Sequence, residues 1–412
     1  MKTVIVAHYH ELWLKGRNRS FFVGKLIQAF HRALSGIELR KISKPGDRIL
    51  IELLHPEDLE TALLRLRRVS GVAHFGIARP TERSLEAFAA AAWDEIAPER
   101  FATFAVRAKR SDKSFPHNVG AIEREVGRAL LERFRHEGRD VRVNLDAPDL
   151  TVRIIITPGP ALVYARRISG PGGLPPNTAG RMLCLLSGGF DSAVAAYKML
   201  KRGAHVNFVH FHSTGAKAGE SSAHVARQLA RQLVPWEFTA KLYLVPFDAI
   251  QREIAMRGPE PYRVLLYRRT MARIAERIAR RDRAIALISG DSLGQVASQT
   301  LTNMVAVGAA VHMPMFRPLA GYDKQEILAV AREIGTHDIS AEPFHDCCPV
   351  FLPRTPALYA SPLDLDQAET SLDVEGLVRL GLKEMRCERF RYANGRAEQV
   401  ESLSENEVRA AK

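Results

Sequence analysis

Apolar and polar positions alternate with a period of two over residues 2–9, then recur at helical spacing in the stripe Phe21, Phe22, Leu26, Ile27, Phe30 and Leu34. Strand-like runs follow near 37–43 and 48–53, then a helix over about 56–69 and a strand over 72–77. The order β-α-β-β-α-β predicts a ferredoxin-like unit over residues 1–76, with Asn18 as the N-cap of its first helix. From Thr81 to Ile168 the pattern reads helix, strand, helix, strand, strand, which predicts a second α+β domain over 77–169. Residues 170–178 are so rich in Gly and Pro that neither helix nor strand is expected, and a domain boundary belongs there. Beyond it, strands at 182–186, 205–211, 240–246 and 284–288 alternate with helices at 192–202, 221–234, 248–257, 262–280 and from about Gly294. That alternation predicts a doubly wound parallel sheet in a third domain, 179–412, with ligands at the carboxyl ends of its strands. Three strand ends should converge on one crevice: Ser187 to Ser192, His210 to His212, and Gly290 to Ser292. There is no internal repeat.

A length of 412 residues suits this multidomain α/β and α+β reading, and 46% hydrophobic with 25% charged residues is the composition of a soluble globular protein. No apolar run is long enough to span a bilayer, and the apolar start is too short for a secretory signal, so a cytoplasmic protein without a membrane partner is expected. A net charge of +13 adds a polyanionic partner, most simply nucleic acid. Lys15, Arg17 and Arg19 lie in the first β-to-α connection, where a solvated loop and an anion-holding helix start are equally open readings. The strand through Arg107 runs into a basic loop with Lys109, Arg110 and Lys113, followed by a helix carrying Arg124, Arg128, Arg133 and Arg135. A basic strand end beside a basic helix favours an RNA-backbone surface over a merely solvated face.

The stretch Met182 to Val194 changes the picture most. An apolar strand meets the turn Ser187, Gly188, Gly189, Phe190, Asp191, Ser192 and then a helix. That order aims free backbone N–H groups and the positive helix end at one spot, where an anionic charge gains roughly 0.3–1 kcal/mol. Neither a Walker A loop nor a G-x-G-x-x-G fingerprint is present. An ordinary turn capped by Ser187 or Ser192 is the competing reading. The hexapeptide resembles the PP-loop of ATP pyrophosphatases, which release pyrophosphate and leave AMP on the substrate. Four cysteines make no disulfide framework, but Cys347 and Cys348 are adjacent, which suggests chemistry. Cys184 lies in the apolar strand and reads as core, while Cys387 has no partner pattern. The pairs His8/His10 and His210/His212 each share a strand face, yet no C-x-x-C spacing supports a metal, and none is assigned.

Taken together, these pieces resemble the tRNA 4-thiouridine synthetase (tRNA uracil 4-sulfurtransferase) family over nearly the whole chain. Glu11 to Arg19 is similar to its N-terminal signature, residues 104–127 to its THUMP RNA-binding domain, and Gly172 to Pro175 to its approach to the PP-loop. Tyr267 to Met271, Ser289 to Thr300 and Asp346 to Cys348 follow in the family's order, the long block from Ser289 being the most specific. The resemblance implies a ferredoxin-like domain, a THUMP domain and a PP-loop ATP pyrophosphatase domain. It implies that ATP adenylates O4 of a tRNA uridine (position 8) at the acceptor/D-stem junction, and that persulfide sulfur then displaces AMP. On this reading Ser187, Gly188, Gly189, Asp191 and Ser192 bind the phosphates, with Asp191 near Mg²⁺. Leu185, Leu186, His210 and Phe211 match positions around the adenosine, and Arg268, Gly290 and Gln299 match further ATP-binding positions. Cys347 aligns with the sulfur carrier, with Cys348 the nearest second thiol, and basic surroundings would favour thiolate. Phe190 and Ala193 depart from the family's more usual Ile and Pro. No rhodanese-like segment follows, so sulfur is expected directly from a separate cysteine desulfurase, and a role in thiazole synthesis is put in doubt. Homodimer formation stays open. Two competing readings remain: a PP-loop ligase or amidotransferase acting on a small molecule, and a non-catalytic RNA-binding adaptor.

Overall fold

Val4 to Ala7 are buried without a break, so Val4–His8, β1, is a central strand covered on both faces. The structure, a computed structural model, describes residues 3–9, 11–213, 222–343 and 353–404. It divides into two units, residues 1–174 and 175–412.

In the first unit β1 is followed by α1 (Arg19–Ala33), β2 (Leu39–Ser43), β3 (Arg48–Leu53), α2 (Leu59–Leu66) and β4 (Val72–Thr81), the ferredoxin-like order. Then come α3 (Leu85–Ile96), β5 (Thr103–Arg110), α4 (Val119–His136), β6 (Arg142–Val143), β7 (Leu150–Ile156), β8 (Ala161–Tyr164) and β9 (Arg167–Gly172). The strands join in the order β2-β3-β1-β4-β8-β7-β5-β6, with β9 also on β4. Strand β4 runs to Thr81 because its first part pairs β1 while Arg79–Thr81 pairs β8. Phe88, Phe104, Ile122, Leu130, Phe134 and Val152 fill the core beneath α3 and α4.

Two local expectations are corrected. Asn18 makes no side-chain cap and sits at φ −83°, ψ 1°, since a 3₁₀ segment (Glu11–Asn18) runs straight into α1 and removes the extended geometry a cap requires. The Gly/Pro-rich stretch is also not structureless at its start, because Arg167–Gly172 is a strand. At Gly170 a Cβ would stand 2.3 Å from Val72 O, so the glycine answers a close backbone approach and not a flexible connection.

The second unit contains β10 (Arg181–Leu185), α5 (Phe190–Lys201), β11 (His205–His212), α6 (Ser222–Leu233), β12 (Thr239–Pro246), α7 (Asp248–Arg257), α8 (Arg263–Arg281) and β13 (Ala286–Ile288). It continues with α9 (Leu301–Gly308), β14 (Met315–Phe316), α10 (Lys324–Glu333), α11 (His337–Ala341), α12 (Pro362–Glu369), α13 (Val374–Lys383), β15 (Arg386–Ala393) and β16 (Arg396–Ser404). Its sheet order is β14-β13-β10-β11-β12-β15-β16. The pairings from β14 through β12 are parallel, whereas β15 and β16 add an antiparallel hairpin to the edge. Helices α7, α8 and α13 bury Ile250, Ile254, Tyr267, Ile274 and Leu382 on one face. The chain leaves β10 toward β11 on one side and later returns to β13 on the other, so the switch point lies between β10 and β13. The helix expected from Gly294 begins only at Leu301. Gly294 takes φ 75° and Thr300 is the cap, accepting from the Asn303 N–H at 3.3 Å.

Candidate functional site

At the switch point the turn after β10 is wired to itself. The Leu186 N–H donates to Val209 O (2.8 Å), which pins the strand end to β11. Ser192 is 4% exposed, and its Oγ accepts from the Ser187 N–H at 3.0 Å. The two serine Oγ atoms are 3.0 Å apart, and the Gly189 N–H donates to Ser187 Oγ at 3.2 Å. The N-cap of α5 is Gly189, at φ −80° and ψ 165°, with no side-chain cap. Neither serine therefore caps the helix, and the N–H groups of its first turn are left to point into the crevice. Gly290 permits the closeness of the second strand end: a Cβ there would lie 2.6 Å from Ser192 N and 2.8 Å from Ser192 Cα.

Charges are paired around this loop. Asp191 accepts from Lys324 Nζ at 2.7 Å and Gln295 Nε2 at 3.0 Å. The Lys324 ammonium also stands 5.3 Å from the Phe190 ring centroid. The buried Asp291 accepts from Arg268, from Ser289 Oγ (2.8 Å) and from Arg317 Nε (3.3 Å). Burial alone would raise its pKa, but the Arg268 charge, the Ser289 bond and Arg317 outweigh burial and hold it below the ordinary carboxylate value. Arg268 also donates to Ser298 O at 2.9 Å, which fixes its fork. Gln299 Nε2 lies 3.4 Å from Asp291 Oδ1, while its buried Oε1 meets no partner among the described residues.

His210 is placed as a strut. Both ring nitrogens are used, Nδ1 on Leu186 O (2.8 Å) and Nε2 with Ser222 Oγ (2.9 Å). A carbonyl can only accept, so Nδ1 carries the proton and Nε2 accepts from the serine. Burial pushes the imidazole pKa down to about 4, so the ring stays neutral. Leu185 packs against the core, Leu186 is buried, and Phe211 lies edge-on to Phe247 at 5.3 Å. The crevice thus brings together the loop, Arg268, Gly290 and Gln299, and it presents His210 and Phe211 by backbone.

Sequence reasoning did not assign Asp291, Gln295, Arg317 or Lys324. Lys324 had a readable signal, because Asp323 and Glu326 form a capping box that marks a helix start with the lysine first. Arg317 follows a two-residue strand too short to show a period.

Asp346, Cys347 and Cys348 lie outside the described residues. The chain just after them is anchored beside Gln299: Thr300 Oγ1 donates to Leu358 O (2.7 Å), and Asn303 bonds Ala357 O and the Ala360 N–H, each at 2.9 Å. Burial raises both described thiols, Cys387 to about 11 and Cys184 further, so neither is a thiolate at neutral pH. Among the described residues no group of three His, Cys, Asp or Glu side chains is placed to hold a metal. Asp191 can still offer one carboxylate, which suits an ion held mainly by phosphate oxygens and water. No helix among them is long and apolar enough to cross a membrane.

In the first unit Lys15 lies over the Phe22 ring (5.0 Å), Arg17 is exposed, and Arg19 donates to Tyr9 OH at 3.1 Å. Arg107 donates to Leu145 O, and Lys109 pairs with Asp47. Arg110 spends its Nη1 on Phe115 O (3.1 Å) and His117 O (2.9 Å), so it braces its loop, while Lys113 is exposed.

The family model "Thiamine biosynthesis protein (ThiI)" matches residues 177–374, the ThiI ferredoxin-like domain 4–76, and the THUMP domain 81–166. A probable tRNA sulfurtransferase of Thermus thermophilus is 42% identical over 385 residues, 93% of each chain. A second, from Moorella thermoacetica, is 39% identical over 92% of this chain and 95% of its own. Among solved structures, a 4-thiouridine synthetase–RNA complex with bound ATP matches 94% of this chain and 100% of that one, with a TM-score of 0.84 and 31% identity. A protein from Pyrococcus horikoshii Ot3 matches 81% of this chain and 100% of its own, with a TM-score of 0.60 and 25% identity.

Proposed function

This chain belongs to the ThiI family, whose curated relatives are named tRNA sulfurtransferases, and on that premise we propose that it makes 4-thiouridine at position 8 of tRNA from ATP and persulfide sulfur. The observation that carries the reading is the uncapped start of α5 at the sheet's switch point, with Lys324 and Arg268 beside it.

The triphosphate lies over the Ser187–Ser192 turn, where the first-turn N–H groups and the helix dipole meet its charge. Lys324 pairs with Asp191 and is placed to turn to a phosphate oxygen, and Asp191 is the residue that would then help hold Mg²⁺. The metal supplies charge neutralisation of the phosphates when bound. Arg268 is held by Asp291 and Ser298 and adds positive charge beside the phosphates. The uridine O4 attacks the α-phosphorus and pyrophosphate leaves, giving a C4–O–AMP bond. The terminal sulfur of a Cys347 persulfide then attacks C4 and AMP leaves. A second thiol, Cys348 or an external one, attacks Cys347 Sγ and releases the thiolated base. The disulfide formed is reduced by a thiol before the next turnover. A cysteine desulfurase is the sulfur donor.

The test separates activation from sulfur delivery. Cys347→Ser should release pyrophosphate with tRNA at the wild-type rate and yield no 4-thiouridine in a single turnover with persulfide-loaded desulfurase. Full thiolation by that variant removes the carrier role from Cys347. Pyrophosphate release driven by a small metabolite and not by tRNA would replace the reading with a small-molecule ligase.

A further inference from the structure

Within the first unit, a cavity of about 280 Å³ is lined by Arg48, Arg107, Lys109, Arg153 and Arg167, together with His8 and Tyr164. Strand register explains why they meet. Arg48 stands opposite His8, which stands opposite His74, and across the sheet Arg107 stands opposite Arg153, which stands opposite Tyr164. Directly opposed side chains share a face, and like charges in such a pair oppose folding. Two arginines in register are therefore a liability unless something anionic sits between them.

The cavity's own anions do not meet the need. Arg48 gives both Nε (2.9 Å) and Nη2 (2.7 Å) to the single oxygen Asp47 Oδ1, and Lys109 takes the other oxygen. Burial would raise Asp47, but the Lys109 and Arg48 bonds pull it down to about 2, so that carboxylate is fully committed. Arg48 is 1% exposed, and its buried Nη1 meets no acceptor among the described residues. Arg107, Arg153 and Arg167 form no ion pair among the described residues. A buried guanidinium N–H without an acceptor, at the floor of a basic cavity, is costly in isolation.

The remaining lining is rigid. The His8 and His74 rings stack at 4.4 Å, and His8 Nε2 lies 3.0 Å from Tyr164 OH. Gly76 leaves room for that phenol, since a Cβ there would stand 2.5 Å from its ring. Guanidinium forks match phosphate oxygens in pairs, whereas a lone carboxylate would leave most of this charge unmet.

We propose that this cavity is a preformed site for one phosphate group of the RNA substrate, bound by the opposed Arg107 and Arg153, with the buried charge of Arg48 in the same lining adding to the attraction. The proposal deepens the tRNA reading and rests on it only for the identity of the RNA. The phosphate is either a terminal monoester or an internal diester.

The full-length chain decides. Thermal unfolding with inorganic phosphate, against chloride at equal ionic strength, should show a rise for wild type that shrinks in Arg48→Gln and in Arg153→Gln. Phosphate at the crevice of the second unit is common to all three, so the difference reports the cavity. In anisotropy titrations with a tRNA acceptor-stem RNA, each variant should bind at least tenfold more weakly and lose about 0.7–0.9 from its salt slope. If the loss vanishes for RNA with a 5′-hydroxyl, the terminal phosphate is the occupant; an equal loss assigns a diester. Should Arg48→Gln not fold, Arg153→Gln and Arg107→Gln carry the test. Unchanged phosphate stabilisation and unchanged RNA affinity in the variants overturn the site. Phosphate stabilisation lost without a change in RNA affinity overturns its assignment to RNA. Phosphate stabilisation needs neither sulfur nor thiolation, so failure of the enzymatic reading leaves that readout standing.

Discussion

The two units treat positive charge in opposite ways. At the crevice of the second unit the cations already have carboxylates: Lys324 holds Asp191, Arg268 and Arg317 share Asp291, and behind them Arg269 and Arg273 share Glu369. In the first unit Arg48 and Lys109 divide one carboxylate, and Arg107 faces Arg153 with none between them. Paired charges keep an empty site in shape and can be exchanged one at a time as a ligand arrives. Opposed charges store repulsion that a polyanion relieves on binding. The first arrangement suits chemistry that needs fixed geometry, and the second suits capture of a substrate whose own charge completes the site.

The largest expected effect tests the paired side. Asp191→Ala removes the partner of Lys324 and a carboxylate that could serve a metal, and tRNA-dependent pyrophosphate release should fall by about 10³-fold. Stability should change little, because Lys324 is 42% exposed and such pairs contribute about 0–1 kcal/mol. A variant that still releases pyrophosphate at the wild-type rate removes the phosphate site from this loop. Asp291→Ala should do the reverse in stability. Its carboxylate is 6% exposed, and its loss strands Arg268 and Arg317, at about 3–5 kcal/mol in chemical unfolding. A loss below about 1 kcal/mol would mean that the crevice charges are not held as pairs.

How much of this was legible in the sequence differs between the same two regions. The crevice was, because a strand, a Gly-rich turn and a helix adjoin along the chain, and the alternation of elements carries the other strand ends to the same edge. Lys324, 133 residues after Asp191, was not, since an ion pair between distant elements leaves no local period. The hairpin of β15 and β16 was also missed, although its Asn394-Gly395 turn, at φ 51° and 81°, is a readable signal. In the first unit the basic residues were visible as charge. Their opposition was not, because register between β5 and β7 depends on a parallel crossover through α4. Composition misled at Gly170 for a related reason: glycine there serves close backbone approach, which looks like a linker when read along one strand alone.

A smaller effect reads the two regions through their histidines. His210 and His8 are both held down to about 4, the first by burial foremost, the second by burial and then by Arg48. Between pH 4 and about 6.5 the unfolded chain binds protons that the folded chain refuses. Stability should therefore rise with pH across that window, by at most about 1.4 kcal/mol per unit for each histidine, and level off above it. Denaturant titrations from pH 4.5 to 7.5 measure the slope. A flat profile would mean that both rings protonate freely when folded. Phosphate at the basic cavity would offset Arg48 and reduce the share of His8, leaving that of His210 unchanged.

The smallest effect separates residues inside the first unit. Lys113 is exposed, whereas Arg110 is tied to the carbonyls of Phe115 and His117 and cannot leave them without loosening the loop. Lys113→Ala should then act on RNA as a single released counterion does, changing the salt slope by about 0.7–0.9 if it meets a phosphate, with affinity reduced by a small factor and no change in unfolding. Arg110→Ala should instead lower stability by about 0.5–1 kcal/mol through the two lost hydrogen bonds, one part-buried and one exposed, and weaken RNA binding as the loop loosens. Affinity at two salt concentrations with unfolding of the same samples distinguishes the two behaviours. Equal salt slopes and equal stability in both variants would make Arg110 an ordinary surface cation, and the bracing geometry would then have no bearing on how this unit holds its polyanion.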